Sequence, residues 1–153
     1  MSNKDYEEPL ESERISASQL RQRITDRAID EAKKEAEKAR QQDAAKRKAY
    51  QEFIEKRFTE DDRLRIRKTA EQAADQGLFE LEVLEFPSDY LNDGGRRINI
   101  GDKNWPVSLT GYAKSLYEAF LDLGQPQGYK LIARVKNYPK GLIGDIGLYL
   151  NWE

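Results

Sequence analysis

Residues 129–152 read YKLIARVKNYPKGLIGDIGLYLNW, and this stretch decides the fold of the C-terminal half. Two runs of apolar and aromatic residues, Tyr129–Asn137 and Ile143–Trp152, flank the turn sequence Tyr138–Gly141. Proline and glycine favour a tight reversal there, so the stretch predicts an antiparallel β-hairpin. Alternate residues of a strand face the same side, which predicts one core face made of Leu131, Ala133, Val135, Ile146, Leu148, Leu150 and Trp152.

A helix and a further strand upstream complete a small domain. Ser108–Leu123 carries apolar residues at helical spacing, and the Gly and Pro that follow it are typical of a helix end. Phe79–Phe86 alternates apolar and acidic residues as a half-buried strand does, and a short strand is expected at Arg96–Ile100. We therefore predict an α+β fold, in which an antiparallel sheet of at least three strands packs in two layers on one helix.

The N-terminal half has the composition of a charged helical arm. Residues 1–77 contain 18 Lys and Arg and 18 Asp and Glu, and no glycine occurs before Gly77. Because no proline or glycine interrupts the sequence after Ser16, long helices are expected up to that glycine. The predicted organisation is a disordered N-terminus over 1–15, an arm over 16–77 with helices at about 17–57 and 60–76, and the α+β domain over 78–153.

Composition excludes several classes of function. The chain has no Cys and no His, which removes disulfides, thiolate chemistry, the commonest general base and the commonest metal ligand. The formal net charge of −2 gives no electrostatic case for a dedicated nucleic-acid binder. No apolar run approaches the length of a membrane span, and the first residues lack a secretory apolar core. The expectation is a soluble, cytoplasmic protein that is not an enzyme and has no catalytic residue, metal or cofactor.

The arm predicts a contact surface for another protein. Its best apolar seam starts at Leu20 and Ile24 and continues mainly through alanines, but the steps drift around the helix and hold no heptad. The signal for a coiled-coil-like helix is therefore weak, and three interpretations stay open: self-association or partner docking, a solvated spacer, and a largely disordered segment. Near the end of the arm, Tyr50 and Phe53 belong to an apolar patch that is expected to dock on the α+β domain.

A basic face on the sheet is the alternative candidate. Lys130, Arg134 and Lys136 share one face of a predicted strand, and Arg96 and Arg97 lie in a loop that could come near. Together with aromatic residues they would suit a nucleic-acid surface. The favoured interpretation is instead that the acidic residues of the first strand, Glu80 and Glu82, neutralise this stripe.

The long connection Ser88–Pro106 is the candidate functional loop, because loops of this length are uncommon without a reason. It matches neither a calcium loop nor a phosphate loop, and Trp105 within it is expected to be a core or lid residue. The leading hypothesis is a non-catalytic interaction or assembly protein. A nucleic-acid accessory protein is second, and an enzyme based on carboxylates is third.

Overall fold

The computed structural model describes residues 13–153, and most of the segment expected to be disordered lies outside this range. The chain divides into two compact units between Arg47 and Lys48. The sequence predicts the domain boundary further along, at Gly77, whereas the structure groups residues 48–77 with the α+β domain. Among the described residues no helix is long and apolar enough to span a membrane.

Helix α1, Ala17–Glu55, begins at the predicted cap. Ser16 Oγ accepts a hydrogen bond from the Gln19 backbone N–H at 3.1 Å, and the Ser16 N–H donates to Gln19 Oε1 at 2.8 Å. This reciprocal capping box satisfies two backbone donors that have no partner within the helix. Every residue from 17 to 52 is exposed, so over most of its length α1 has no face covered by the rest of the chain that the structure describes.

Helix α2, Glu60–Asp75, has a second capping box formed by Thr59 and Asp62. Asp62 N–H donates to Thr59 Oγ1 at 3.2 Å, and Thr59 N–H donates to Asp62 Oδ2 at 3.1 Å. Three acidic residues in the first turn suit the positive end of the helix dipole. The helix bounds differ from the predicted ones by no more than two residues.

The sheet has three antiparallel strands: β1 Glu80–Pro87, β2 Lys130–Val135 and β3 Asp145–Asn151. Their order is β1-β3-β2, so β3 is the central strand and pairs with both others. The predicted hairpin is confirmed as β2 and β3. A register shift in β1 between Glu82 and Leu84 brings both Val83 and Leu84 against the core.

The connection after β1 is helical where a short strand was expected. Residues Arg96–Asn99 form helix α3, so the strand prediction for Arg96–Ile100 is wrong. Asp93 causes the difference, because its carboxylate accepts from the backbone N–H groups of Gly95 and Arg97 at 2.9 and 3.1 Å. Gly95 has a φ of 88°, a left-handed conformation that turns the chain into the helix.

The predicted C-terminal helix forms as α4, Gly111–Ala119, which is shorter than expected. It continues through a turn of π-helix at Phe120–Gly124, which we call the π-turn. Ile146 and Leu148 of β3 are fully buried beneath this layer. The rest of the buried core consists of Phe86, Leu91, Ile98, Leu109, Tyr112, Ala113 and Leu116. The α+β class and the packing of an antiparallel sheet on a helix are therefore confirmed.

The last turns of α1 dock on the α+β domain, as the aromatic patch predicts. The ring of Phe53 lies 5.3 Å from that of Phe86 and 4.7 Å from that of Tyr90, and Tyr50 packs edge-on against Tyr90 at 5.2 Å. Gly111 allows this approach, because a Cβ on it would lie 2.5 Å from the Phe53 carbonyl oxygen. Its φ of +52° also disfavours any other residue.

We expect Gly111→Ala to lower the free energy of unfolding by about 2 kcal/mol or more, because the new methyl group meets backbone atoms that cannot move aside. Gly101→Ala is the matched control, since Gly101 also has positive φ but no atom lies within 4 Å of its added Cβ. The control isolates the backbone cost of about 1 kcal/mol. Urea unfolding of both variants measures the difference, and equal losses would refute the close approach.

Candidate functional site

The outer face of the sheet carries ion pairs that bridge β1 and β2. Arg134 donates from both terminal nitrogens to Glu80, at 2.7 Å each. Lys136 lies 2.7 Å from Glu82 and 3.0 Å from Glu85. Because β3 lies between the two strands, each of these side chains crosses over it to reach its partner. Hydrogen bonding to Arg134 lowers the pKa of Glu80, and hydrogen bonds with Glu82 and Glu85 raise the pKa of Lys136.

Gly147, in the middle of β3, leaves room for the side chains that lie over this strand. A Cβ on Gly147 would lie 2.7 Å from the hydroxyl oxygen of Tyr149, so the tyrosine ring lies flat over the glycine. The guanidinium of Arg134 lies over that ring, 4.7 Å from its centre. The register shift of the sheet is in β1, so the glycine is explained by this ring contact and not by a bulge at its own position.

The remaining basic candidates do not extend this face into one positive surface. Arg97 lies 3.7 Å from Asp93 and 3.8 Å from Asp102, two carboxylates of its own connection. Lys130 and Arg96 are exposed. The three strand residues share one face as the sequence predicts, and Glu80, Glu82 and Glu85 neutralise two of them.

The connection Ser88–Pro106 is an ordered layer over the core. Leu91 and Ile98 are buried in the core, and Trp105 packs edge-on against Tyr117 with ring centres 6.1 Å apart. Ser88 is tied to the end of the hairpin, since its hydroxyl donates to the Ile143 carbonyl at 3.0 Å. The length of this connection is thus explained by core packing.

A buried polar cluster holds the start of α2 against α4. Asp62 is 5% exposed and accepts a hydrogen bond from Arg65 at 2.8 Å, and the Tyr112 hydroxyl lies near enough to lower the pKa of its carboxyl. Burial raises the pKa of Tyr112 to about 12, and the hydrogen bond to Asp62 adds to this effect. Burial opposes ionisation of Asp62 as well, but hydrogen bonds from Thr59, Tyr112 and Arg65 outweigh it and lower the pKa of that carboxyl.

This cluster has the features of a structural joint. Asp62 is already engaged in the capping box of α2, and its oxygens face donors of the protein itself. Nearby, the Phe58 N–H donates to Ser115 Oγ at 2.7 Å, which fixes the bend between α1 and α2 on α4. Among residues 13–153 no three carboxylates lie close enough together to hold a metal ion.

A groove of about 780 Å³ opens between α2 and the end of α4. Its floor is the inner face of the sheet at Val83, Leu131 and Leu150, which are only partly buried. One wall is α2, with Ile66, Ala70 and Ala74, and the other wall ends in the π-turn, with Phe120 and Leu123. The groove is thus the place where the apolar core is left open to solvent, and a mostly apolar concavity of this size is typical of a binding site.

Charged and aromatic side chains surround the groove. Arg63 and Arg67, one helical turn apart on α2, line it together with Glu71. Tyr129 and Trp152, packed edge-on with ring centres 6.4 Å apart, line its other side. The sequence predicts Leu131, Leu150 and Trp152 as a core face, but the strand pattern alone does not show that α2 leaves them half covered. The small side chains of Ala70 and Ala74 are the signal that could have shown it.

No protein-family model matches the sequence, and neither the curated proteins nor the solved structures that were compared with it give a match.

The buried phenol of Tyr112 predicts a loss of stability in alkali. Its pKa of about 12 in the folded protein lies above the value of about 10 in an unfolded chain. The stabilisation is therefore complete below pH 10 and is lost between about pH 10 and 12, by up to about 1.4 kcal/mol per pH unit.

We expect Tyr112→Phe to remove this contribution, so that its stability difference from the wild type shrinks between pH 10 and 12. Tyr138→Phe, which removes an exposed hydroxyl, is the control. Unfolding by urea at several pH values checks this, and a difference for Tyr112→Phe that stays constant would contradict the buried hydrogen bond.

Proposed function

We propose that this chain is a non-catalytic interaction or assembly protein that associates with a second copy of itself through α1, with the α+β domain as a second contact surface. One observation carries the proposal: α1 has 39 residues and none of them is buried. Leu20, Ile24 and Ile29 are 47%, 72% and 47% exposed, although the contact line described below does not include them. Helices in proteins take most of their stability from packing an apolar face. A second chain would supply that packing.

A regular face along α1 suits another helix. Positions 21, 25, 28, 32, 36, 39 and 43 follow one another in steps of four, three, four, four, three and four residues. This eleven-residue period is about 3.67 residues per turn, close to the 3.6 of a straight helix, so the seven positions form one line along it. Five of them are Thr25 and four alanines, Ala28, Ala32, Ala36 and Ala39, and such small side chains let two helices approach closely.

Charge at the two ends of this line supports a second copy in antiparallel orientation. Arg21 and Asp43 each lie eleven residues from Ala32, and neither has an ion-pair partner among residues 13–153. In an antiparallel pair centred on Ala32, Arg21 of each chain faces Asp43 of the other. A parallel pair would bring like charges together at both positions, which is unfavourable.

The other charged residues considered along α1 do not prevent the pairing of Arg21 with Asp43. Arg27 already pairs with Glu31 at 3.2 Å, and Arg40 pairs with Glu37, both within the helix. Lys33 lies near the centre of the pair but about 100° around the helix from the contact line, so its long stem can keep the ammonium group in water.

The decisive experiment is a charge exchange read out by light scattering over a range of concentrations. Asp43→Arg would place two arginines together at each end of the pair, and we expect it to weaken dimerisation at least about tenfold. The double variant Arg21→Asp with Asp43→Arg restores both pairs and should recover the wild-type dimer to within about threefold.

Asp30→Arg is the matched control, because position 30 lies about 160° from the contact line and should not affect the dimer. Circular dichroism verifies that the helix content of each variant is unchanged. A wild-type chain that stays monomeric at every concentration would refute self-association. A double variant as weak as the single one would refute the antiparallel pairing.

The alternative of a nucleic-acid accessory protein has less support. Its basic face depends on Arg134 and Lys136, whose charges face Glu80, Glu82 and Glu85 at ion-pair distance. Binding of an oligonucleotide at low salt that falls steeply as salt rises would favour it. The absence of catalysis and the cytoplasmic location stay predictions.

A further inference from the structure

We propose that the groove between α2 and the π-turn binds a long-chain carboxylate, with the acyl chain on the sheet and the carboxylate at Arg63 and Arg67. This site lies wholly within the α+β domain and its flanking helix α2. It is therefore independent of the proposed association through α1.

The floor of the groove needs an apolar cover. Along β3, Ile146 and Leu148 have no exposed surface, whereas Leu150, two residues further on the same face, is only partly buried. Leu131, which pairs with Leu150 and also lines the groove, is likewise only partly buried. An acyl chain lying across these strands would remove this surface from water, at about 25 cal/mol per Å² of apolar area.

The walls keep the groove open. Ala70 and Ala74 are too small to reach across from α2, and on the opposite side Leu123 remains 52% exposed. The π-turn widens the helix at Phe120–Gly124, and π-helical turns occur frequently at functional sites. The ring of Phe120 lies over Gly124, whose added Cβ would meet it at 2.8 Å, so this wall has one defined shape.

The charge at the rim selects the headgroup. Two guanidinium groups and one carboxylate line the groove, and Glu60, which does not line it, pairs with Arg63. The charges therefore balance, and a ligand carboxylate has to displace a glutamate from one of the arginines. Arg67 is held by Glu71 at 3.2 Å, with both side chains about two-thirds exposed, and such surface pairs are worth little. Arg63 is bound by Glu60 at 2.9 Å and is half-buried. A ligand carboxylate can therefore compete for Arg67 and be reached by Arg63 one turn away.

The test uses dodecanoate below the concentration at which it forms micelles, with dodecanol and dodecylamine as probes of equal chain length. The Trp105→Phe background leaves Trp152, in the groove, as the reporting fluorophore. We expect saturable binding of one dodecanoate per chain, measured by fluorescence and by calorimetry, and at least about tenfold weaker binding of both other probes.

Two variants on α2 locate the headgroup. Arg67→Glu should weaken dodecanoate binding at least about tenfold while leaving the affinity for dodecanol within about twofold. Lys68→Glu makes the same change of charge on the neighbouring residue, which does not line the groove, and should leave both affinities within about twofold.

A third variant, Ala74→Trp, fills the groove from an exposed position and should weaken the binding of all three probes. Thermal unfolding of each variant without ligand shows whether it is folded. Equal losses of dodecanoate affinity for Arg67→Glu and Lys68→Glu, or tighter binding of dodecanol than of dodecanoate, would overturn the headgroup assignment. Failure of dodecanoate to bind while an acidic amphipathic peptide or anionic vesicles bind the wild type would overturn the ligand class.

Discussion

The close approach of two backbones at Gly111 is the constraint on which the rest of the domain depends. With no side chain at that position, the Phe53 carbonyl and the first turn of α4 come within contact distance, and the aromatic patch of α1 reaches Phe86 and Tyr90. A few residues later the Phe58 N–H is held by Ser115 of the same helix. One place in the structure thus joins α4 to the end of α1 and to the start of α2, through packing on one side and hydrogen bonds on the other.

This joint also sets the direction of α2. The capping box at Thr59 starts the helix, and the buried side chains of Asp62 and Tyr112 bring its first turn against α4. An ionised carboxylate that accepts hydrogen bonds from Thr59 and Arg65 is stable in such a position, whereas an unpaired one would be costly. In its second half α2 carries two small residues, Ala70 and Ala74, towards the sheet. The groove follows from a helix that is anchored firmly at one end and has little bulk at the other.

The hairpin, the capped starts of α1 and α2 and the α+β class could be predicted from local sequence, because turn residues, caps and alternation act over a few positions. The docking of Tyr50 and Phe53 could be predicted too, since aromatic side chains on an otherwise charged helix need a cover. The strand expected at Arg96–Ile100 does not form, because the Asp93 carboxylate accepts hydrogen bonds from two backbone N–H groups and a helix starts there. The alternation of residue types does not show these hydrogen bonds. The order of the strands could not be predicted either, because it depends on pairing between residues that are far apart in the sequence.

The groove shows why the candidate site was harder to predict than the fold. A pattern of alternate apolar residues indicates which face of a strand turns inward, but not how completely a distant helix covers it. Here the same face of β3 is sealed at Leu148 and open at Leu150, and the difference arises from Ala70 and Ala74 on a helix some 75 residues away in sequence. Larger side chains at those two positions would have closed the core at little cost in helix propensity. Their small size leaves apolar surface exposed beside two arginines, and a protein gains nothing in stability from that arrangement unless a ligand covers it.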